Sequence, residues 1–164
     1  MQIAIAADLH DNLATWQIFN QYIKKQGINT LLFCGDLCEA DTLRIIEREF
    51  LGDIYLISGN AELYEEKEIK FKKTTKHLGR YGAIMIDNVN MGLIHEPAYK
   101  EIIIRKHPHL DFIFHGHTHK PWIENQAGLI IANPGTLGGV YYKASFAVLD
   151  TETKKLELKI LETI

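Results

Sequence analysis

The chain repeats one juxtaposition: a short apolar run that stops on a side chain able to bind a metal. IAIAAD ends on Asp8, with His10 two residues further. LLFCGD ends on Asp36, IYLISGN on Asn60 and MGLIH on His95, while DFIFHGHTH carries His117 and His119. Together they offer carboxylate oxygens, one amide oxygen and imidazole nitrogens. Such a mixed set suits Mn, Fe, Zn, Ni or Co better than Ca or Mg, which prefer all-oxygen shells. Asp36, with its two oxygens, can bridge two cations. Metals held ~3.5–4 Å apart activate a water at neutral pH and neutralise both ends of an in-line displacement. Hydrolysis at phosphorus is therefore the chemistry this set favours. Asp8 and Asp36 do not cancel the charge of two divalent ions, so an anionic phosphate is welcome despite the formal charge of -3 on the chain.

Taken singly, a DxH or a GD after a strand is commonly only a turn. HGHTH is harder to discount, because clustered imidazoles are costly to bury unless something binds them.

Strands must carry these groups. Runs of β-branched residues that stop at a Gly or polar turn read as buried strands. In open α/β sheets, ligands bind beyond the carboxyl ends of such strands. Between the runs, apolar positions at Leu13, Trp16, Ile18, Phe19, Tyr22 and Ile23 predict a helix over residues 12–26, ended by Gly27. Strands follow at 31–34 and 54–58, with a helix over 40–50 between them that Asp41 would cap. This rhythm implies a mostly parallel sheet.

In residues 62–80 the acids Glu62, Glu65, Glu66 and Glu68 largely precede Lys67, Lys70, Lys72, Lys73 and Lys76. The order suits a solvated helix or an exposed loop. AIMID and MGLIH then read as a hairpin about Asn88–Asn90, followed by a helix over 99–106. Strands are expected at 112–114, 122–124, 129–132, 146–149 and 156–161. The late strands would form a second sheet on the first. The expected fold is an α/β, four-layer αββα sandwich of two stacked mixed β-sheets flanked by helices, in one domain over residues 1–164.

Composition narrows the function classes. The net negative charge gives no case for binding a long nucleic acid. No stretch approaches the ~20 apolar residues of a membrane span, and the first apolar run is too short for a signal peptide. Cys34 and Cys38 match neither a disulfide framework nor a CxxC motif, so a reduced, cytoplasmic setting is expected. The partner expected is a small phosphoester substrate; assembly into a homo-oligomer stays open.

In order, DLH (8–10), GD (35–36), GN (59–60), His95, GHTH (116–119) and NPGT (133–136) resemble the calcineurin-like metallophosphoesterases. The likeness is strongest to the small single-domain phosphodiesterases of bacteria and archaea. It implies that Asp8, His10, Asp36 and His119 hold one ion, and that Asp36, Asn60, His95 and His117 hold a second. Asp36, Asn60 and His95 would bear the catalytic burden. The resemblance further implies two divalent ions, Mn²⁺ first, with Ni²⁺, Zn²⁺, Fe²⁺ or Co²⁺ as alternatives. A hydroxide bridging them would attack a small phosphodiester or nucleotide.

Two departures stand out. Relatives follow GN with His-Asp or Cys-Asp, the His helping to protonate the leaving group; here the pair is Ala61-Glu62. Relatives place Gly after the equivalent of His95; here it is Glu96. A missing general acid costs ~10²–10⁴-fold. Either activated or diester substrates are favoured, or Glu62 with a raised pKa donates the proton, or Glu62 is merely a solvated helix-start residue. His115 either orients a ligand or faces solvent or the neighbouring turn. Substrate choice would fall to Asn12, Glu62, Glu96 and residues 138–142.

The competing reading is a catalytically weak or inactive scaffold or binding protein, like the trafficking-complex subunit that shares this fold. That subunit's GHTHK and NPG segments look like those here, but its GD and GN are altered where Asp36 and Asn60 are intact. A nuclease is disfavoured for want of a basic groove.

Overall fold

The computed structural model describes residues 1–65, 67 and 69–164. Strands β1 (Gln2–Ala6) and β2 (Thr30–Phe33) are buried on both faces almost throughout. This is the pattern of parallel strands covered on each side. They pair in parallel with each other, then with β3 (Asp53–Leu56) and β4 (Thr75–His77). Helix α1 (Leu13–Lys25) joins β1 to β2, and α2 (Ala40–Glu49) joins β2 to β3. The chain then builds β5 (Tyr81–Ile86), β6 (Val89–Ile94), α3 (Lys100–Lys106), β7 (Phe112–Phe114), β8 (Trp122–Gln126) and β9 (Leu129–Asn133). It closes with β10 (Ser145–Asp150) and β11 (Lys155–Ile160). One sheet has the order β11-β10-β1-β2-β3-β4 and the other β5-β6-β7-β9-β8.

Period-two alternation sorts the side chains into layers. Ala4, Ala6, Leu31, Phe33 and Phe146 face α1 and α2, packing on Trp16, Phe19, Ile23, Leu43 and Ile46. Ile3, Ile5, Leu32 and Leu149 point the other way, against Met91, Leu93, Phe112 and Phe114 of the second sheet. On that sheet's outer face Ile103 of α3 meets Ile94, Ile113 and Ile131. The result is a four-layer sandwich of two mixed sheets flanked by helices, as the sequence implies.

Four details differ from the sequence-based expectations. The late strands do not all join the second sheet: β10 returns antiparallel to β1, with Gln2 opposite Asp150, and β11 extends that edge. Residues 62–80 hold no α-helix among the described residues but include β4, whose TKH sequence is too short and polar to show a strand pattern; Glu66 and Glu68 lie outside the described residues. The N-cap of α2 is Glu39, not Asp41. Asp11 instead accepts hydrogen bonds from Glu39 N (3.0 Å) and the Thr42 hydroxyl (2.5 Å), and Asp41 pairs with Arg44. Finally, the β5–β6 hairpin turns at Asp87 and Asn88, with φ of 49° and 61°, while Asn90 already lies in β6. Two left-handed residues make the turn that matches strand twist.

Candidate metal centre

The seven candidate ligands follow the carboxyl ends of β1, β2, β3, β6 and β7. Their loops lock into one another. Asp8 N donates to Gly35 O (3.0 Å), His10 N to Asp36 O (3.1 Å), and Gly116 N to His95 O (3.1 Å). Five of the seven have left-handed backbones: Asp8 (φ 54°), His10 (47°), Asp36 (59°), His117 (68°) and His119 (59°). Each such conformation costs on the order of 1–3 kcal/mol and persists only where surrounding structure over-determines it. The glycines of GD and GN allow this crowding. A Cβ on Gly59 would lie 2.0 Å from Asp36 Oδ1, and one on Gly35 would lie 2.7 Å from His95 Nδ1.

All seven side chains come together. Nε2 of His10 lies 3.3 Å from Nε2 of His119 and 3.8 Å from Asp36 Oδ2. His119 Nε2 lies 3.6 Å from Asp8 Oδ1. On the other side, His95 Nε2 is 3.3 Å from Asp36 Oδ2 and 2.9 Å from Asn60 Oδ1. His117 Nδ1 is 2.8 Å from that same Asn60 oxygen. Asp8, His10 and His119 form one group with donor atoms within 4.8 Å of each other, and Asp8, Asp36 and His95 form another.

The donor chemistry calls for a cation. His119 Nδ1 lies 3.1 Å from Val140 O and His95 Nδ1 lies 2.8 Å from Cys34 O. Each can donate there only as N–H, which leaves a bare lone pair on Nε2 in the neutral ring. In His95 that lone pair faces two oxygen acceptors, and in His119 it faces another imidazole nitrogen. Acceptor meets acceptor unless a proton or a metal lies between.

The titration behaviour reflects the same excess of acceptors. Burial pushes the Asp8 carboxyl up to about 7, with His95 opposing and Asp36 adding to the rise. For His95, burial favours the neutral ring but is outweighed by Asp36 and Asp8, which raise it to about 8. Burial likewise works against ionised Asp36, yet the His95 hydrogen bond and charge and the Ala61 amide hold its carboxyl below the usual range. His10 is lowered, chiefly by burial.

Several supporting residues escape a reading of motifs. Glu62 is not a solvated helix start. Its Oε1 accepts from Asp36 N (2.8 Å) and Leu37 N (3.3 Å), and its Oε2 from Gly59 N (2.7 Å). It thereby clamps together the turns bearing Asp36 and Asn60. Burial, then the Asp36 charge, lifts its carboxyl to about 7, against the pull of the Leu37 and Gly59 amides. Asn133, fully buried, donates to Gly116 O and the Thr118 hydroxyl, and the Thr136 hydroxyl donates to Asp8 O. These contacts give NPGT its role: it ties the GHTH loop to the Asp8 turn.

His115 is buried, not solvent-facing, with Nδ1 at 3.0 Å from Gly116 O and its ring edge-on to Trp122. Ala61 brings no titratable group, but its N–H donates to Asp36 Oδ1 at 2.8 Å. Glu96 has φ -87° and ψ 132°, a conformation that demands no glycine. Both cysteines are free, with Cys38 Sγ 3.5 Å from His10 Nδ1. No described helix is long and apolar enough to cross a membrane.

Known proteins share this arrangement of strands. The family model described as calcineurin-like phosphoesterase superfamily domain matches residues 1–154. A phosphodiesterase of Methanocaldococcus jannaschii is 23% identical over 171 residues, spanning 99% of this chain and 100% of its own. The solved structure of an archaeal phosphodiesterase matches with a TM-score of 0.84 at 22% identity, over 98% of this chain and 99% of that one. Vps29 of Entamoeba histolytica, solved in complex with zinc, matches with a TM-score of 0.72 at 22% identity, over 98% and 99% of the two chains. At these identities the structural likeness speaks to the fold.

Proposed function

The chain belongs to the calcineurin-like phosphoesterase superfamily, and from that premise we propose that it is a metal-dependent phosphodiesterase acting on small phosphodiesters or nucleotides in a cytoplasmic setting, as one domain over residues 1–164. The observation that carries this reading is the convergence of imidazole, amide and carboxylate groups from five strand ends, with His95 Nε2 facing two oxygen acceptors.

Asp8, His10, Asp36 and His119 would hold one divalent ion, and Asp36, Asn60, His95 and His117 a second, with Asp36 shared. Two such ions, Mn²⁺ first among Ni²⁺, Zn²⁺, Fe²⁺ and Co²⁺, supply Lewis acidity, an activated water and charge neutralisation at phosphate. The chain supplies order. Cys34 O fixes the His95 ring, Val140 O fixes His119, and Glu62 holds the Asp36 and Asn60 turns in register. Asp36, Asn60 and His95 thus act at the reacting phosphate. Residue 61 is alanine, which has no proton to give a leaving group. With Glu62 engaged by three amides, the chain favours leaving groups that depart as stable anions.

The test is a phosphoester panel, including a chromogenic diester, on metal-stripped protein reloaded with each of these metals. Diester hydrolysis that requires metal and disappears in Asp36→Asn is expected. A second reading, a metal-binding scaffold without turnover, draws on Ala61. Tight metal binding with no hydrolysis of any diester would favour it.

A further inference from the structure

The loop over residues 138–142 is fastened at its root to the turn that carries Asp8 and His10. Gly138 N donates to Asp8 O (2.9 Å), and Asn12 Nδ2 donates to Gly138 O (2.8 Å). The approach is so close that a Cβ on Gly138 would lie 2.2 Å from Leu9 O. At the tip, Tyr141 has φ 64° and is 90% exposed, its ring centroid 5.5 Å from that of His119. A bulky residue in the left-handed region is an outlier, and here its apolar ring gains almost no burial in return. Beside it runs an open groove of about 600 Å³ lined by Thr15, Ile18, Tyr141, Tyr142, Ala144 and Leu161. Ile18 and Tyr142 are 49% and 45% exposed along it.

We propose that this groove, with Tyr141 as its platform, receives the planar aromatic ester group, a nucleobase or an aryl ring, of a substrate whose phosphate sits at the metal centre. The inference rests on the phosphoesterase reading and names the substrate class. Three observations select this occupant. First, Tyr141 both lines the groove and lies with its ring 5.5 Å from that of the candidate ligand His119, so the groove borders the candidate centre. Second, among the described lining residues the cation, Lys143, is paired with Glu162 at 2.8 Å, so the groove brings no excess positive charge to select a second phosphate. Third, the Thr15 hydroxyl donates to Asn12 O, and Ile18, Tyr141, Tyr142, Ala144 and Leu161 supply aromatic and aliphatic faces. Such faces bind any base by stacking, with little sequence preference.

The experiment measures binding, so that it does not depend on turnover. The full chain loaded with Mn²⁺ is titrated calorimetrically with adenosine 5′-monophosphate and with ribose 5-phosphate. The nucleotide should bind about tenfold tighter, a difference of about 1.4 kcal/mol. Tyr141→Ala should abolish that preference while leaving ribose 5-phosphate affinity and the melting temperature unchanged, and Tyr141→Phe should keep it. Equal affinities in the wild type, no binding of either ligand, or a preference that survives Tyr141→Ala would each overturn the proposal. If the preference is present and lost in Tyr141→Ala but no diester is hydrolysed, the subsite stands and the phosphoesterase reading falls. Diester hydrolysis without the preference reverses that outcome.

Discussion

The two halves of the candidate centre are built to different standards of enclosure. Asp8 and His119 are buried, and His119 is tied through Nδ1 to Val140 O. Across Asp36, Asn60 and His117 are exposed, 2.8 Å apart, with Asn60 also 2.9 Å from His95. Only His95 on that side is buried and tied to backbone, at Cys34 O. Ligands locked by packing and by hydrogen bonds to their second nitrogen are preorganised for a cation. Ligands that face water must be ordered when the cation arrives. The enclosed half should therefore hold its ion more tightly, and the open half should exchange its ion and admit substrate.

The largest effect should come from Asp36, which both proposed ion sites would share. Asp36→Asn should lower turnover by ~10³-fold, the scale on which loss of one electrostatic stabiliser acts, and should reduce metal content measured by mass spectrometry. The comparison itself is sharpened by His119→Ala against His117→Ala. Removing even an outer support of a metal ligand costs ~10–100-fold in affinity, so His119→Ala should weaken one ion by at least ~10²-fold. His117→Ala should cost about tenfold. Equal losses in a chelator competition would break the contrast.

Protonation offers a third probe. The Asp8 and Glu62 carboxyls and the His95 imidazole are all raised in the folded protein, to about 7, 7 and 8. Their contribution to stability is full below the unfolded-state values and is lost as pH rises through those folded values. His10 and His115, lowered mainly by burial, oppose this trend, while Asp36 titrates too low to matter between pH 5 and 8. The metal-free protein should melt at a lower temperature at pH 8 than at pH 5. Added Mn²⁺ should raise the melting temperature more at pH 8, because metals bind the deprotonated ligands. Melting that is independent of pH would remove the excess of acceptors as an explanation of the site.

Smaller still is Glu62→Gln, which turns an amide N–H₂ toward backbone donors. It should cost about 1–3 kcal/mol of stability and slow good and poor leaving groups alike. A loss confined to poor leaving groups would restore Glu62 as a proton donor. Glu96→Gly should change stability by no more than about 0.5 kcal/mol, since residue 96 already sits in ordinary extended backbone.

The convergence of the candidate ligands was legible because each follows an apolar run, and the runs themselves are period-two patterns with buried faces. What stayed hidden depends on groups distant along the chain. β10 is placed by pairing with β1, more than a hundred residues away, which no local period encodes. β4 is three polar residues recruited by the edge of β3. The N-cap expected of Asp41 falls instead at Glu39, whose N–H is held by Asp11 from another loop. Glu62 reads as a loop acid until two separate turns bring three amides to it.

The central claim, two cations sharing Asp36, is tested most directly by anomalous diffraction from crystals grown with saturating Mn²⁺. The account predicts two manganese peaks about 3.5–4 Å apart, with Asp36 bound to both and Asp8, His10 and His119 on the enclosed one. A single peak, or two peaks that Asp36 does not join, would contradict it.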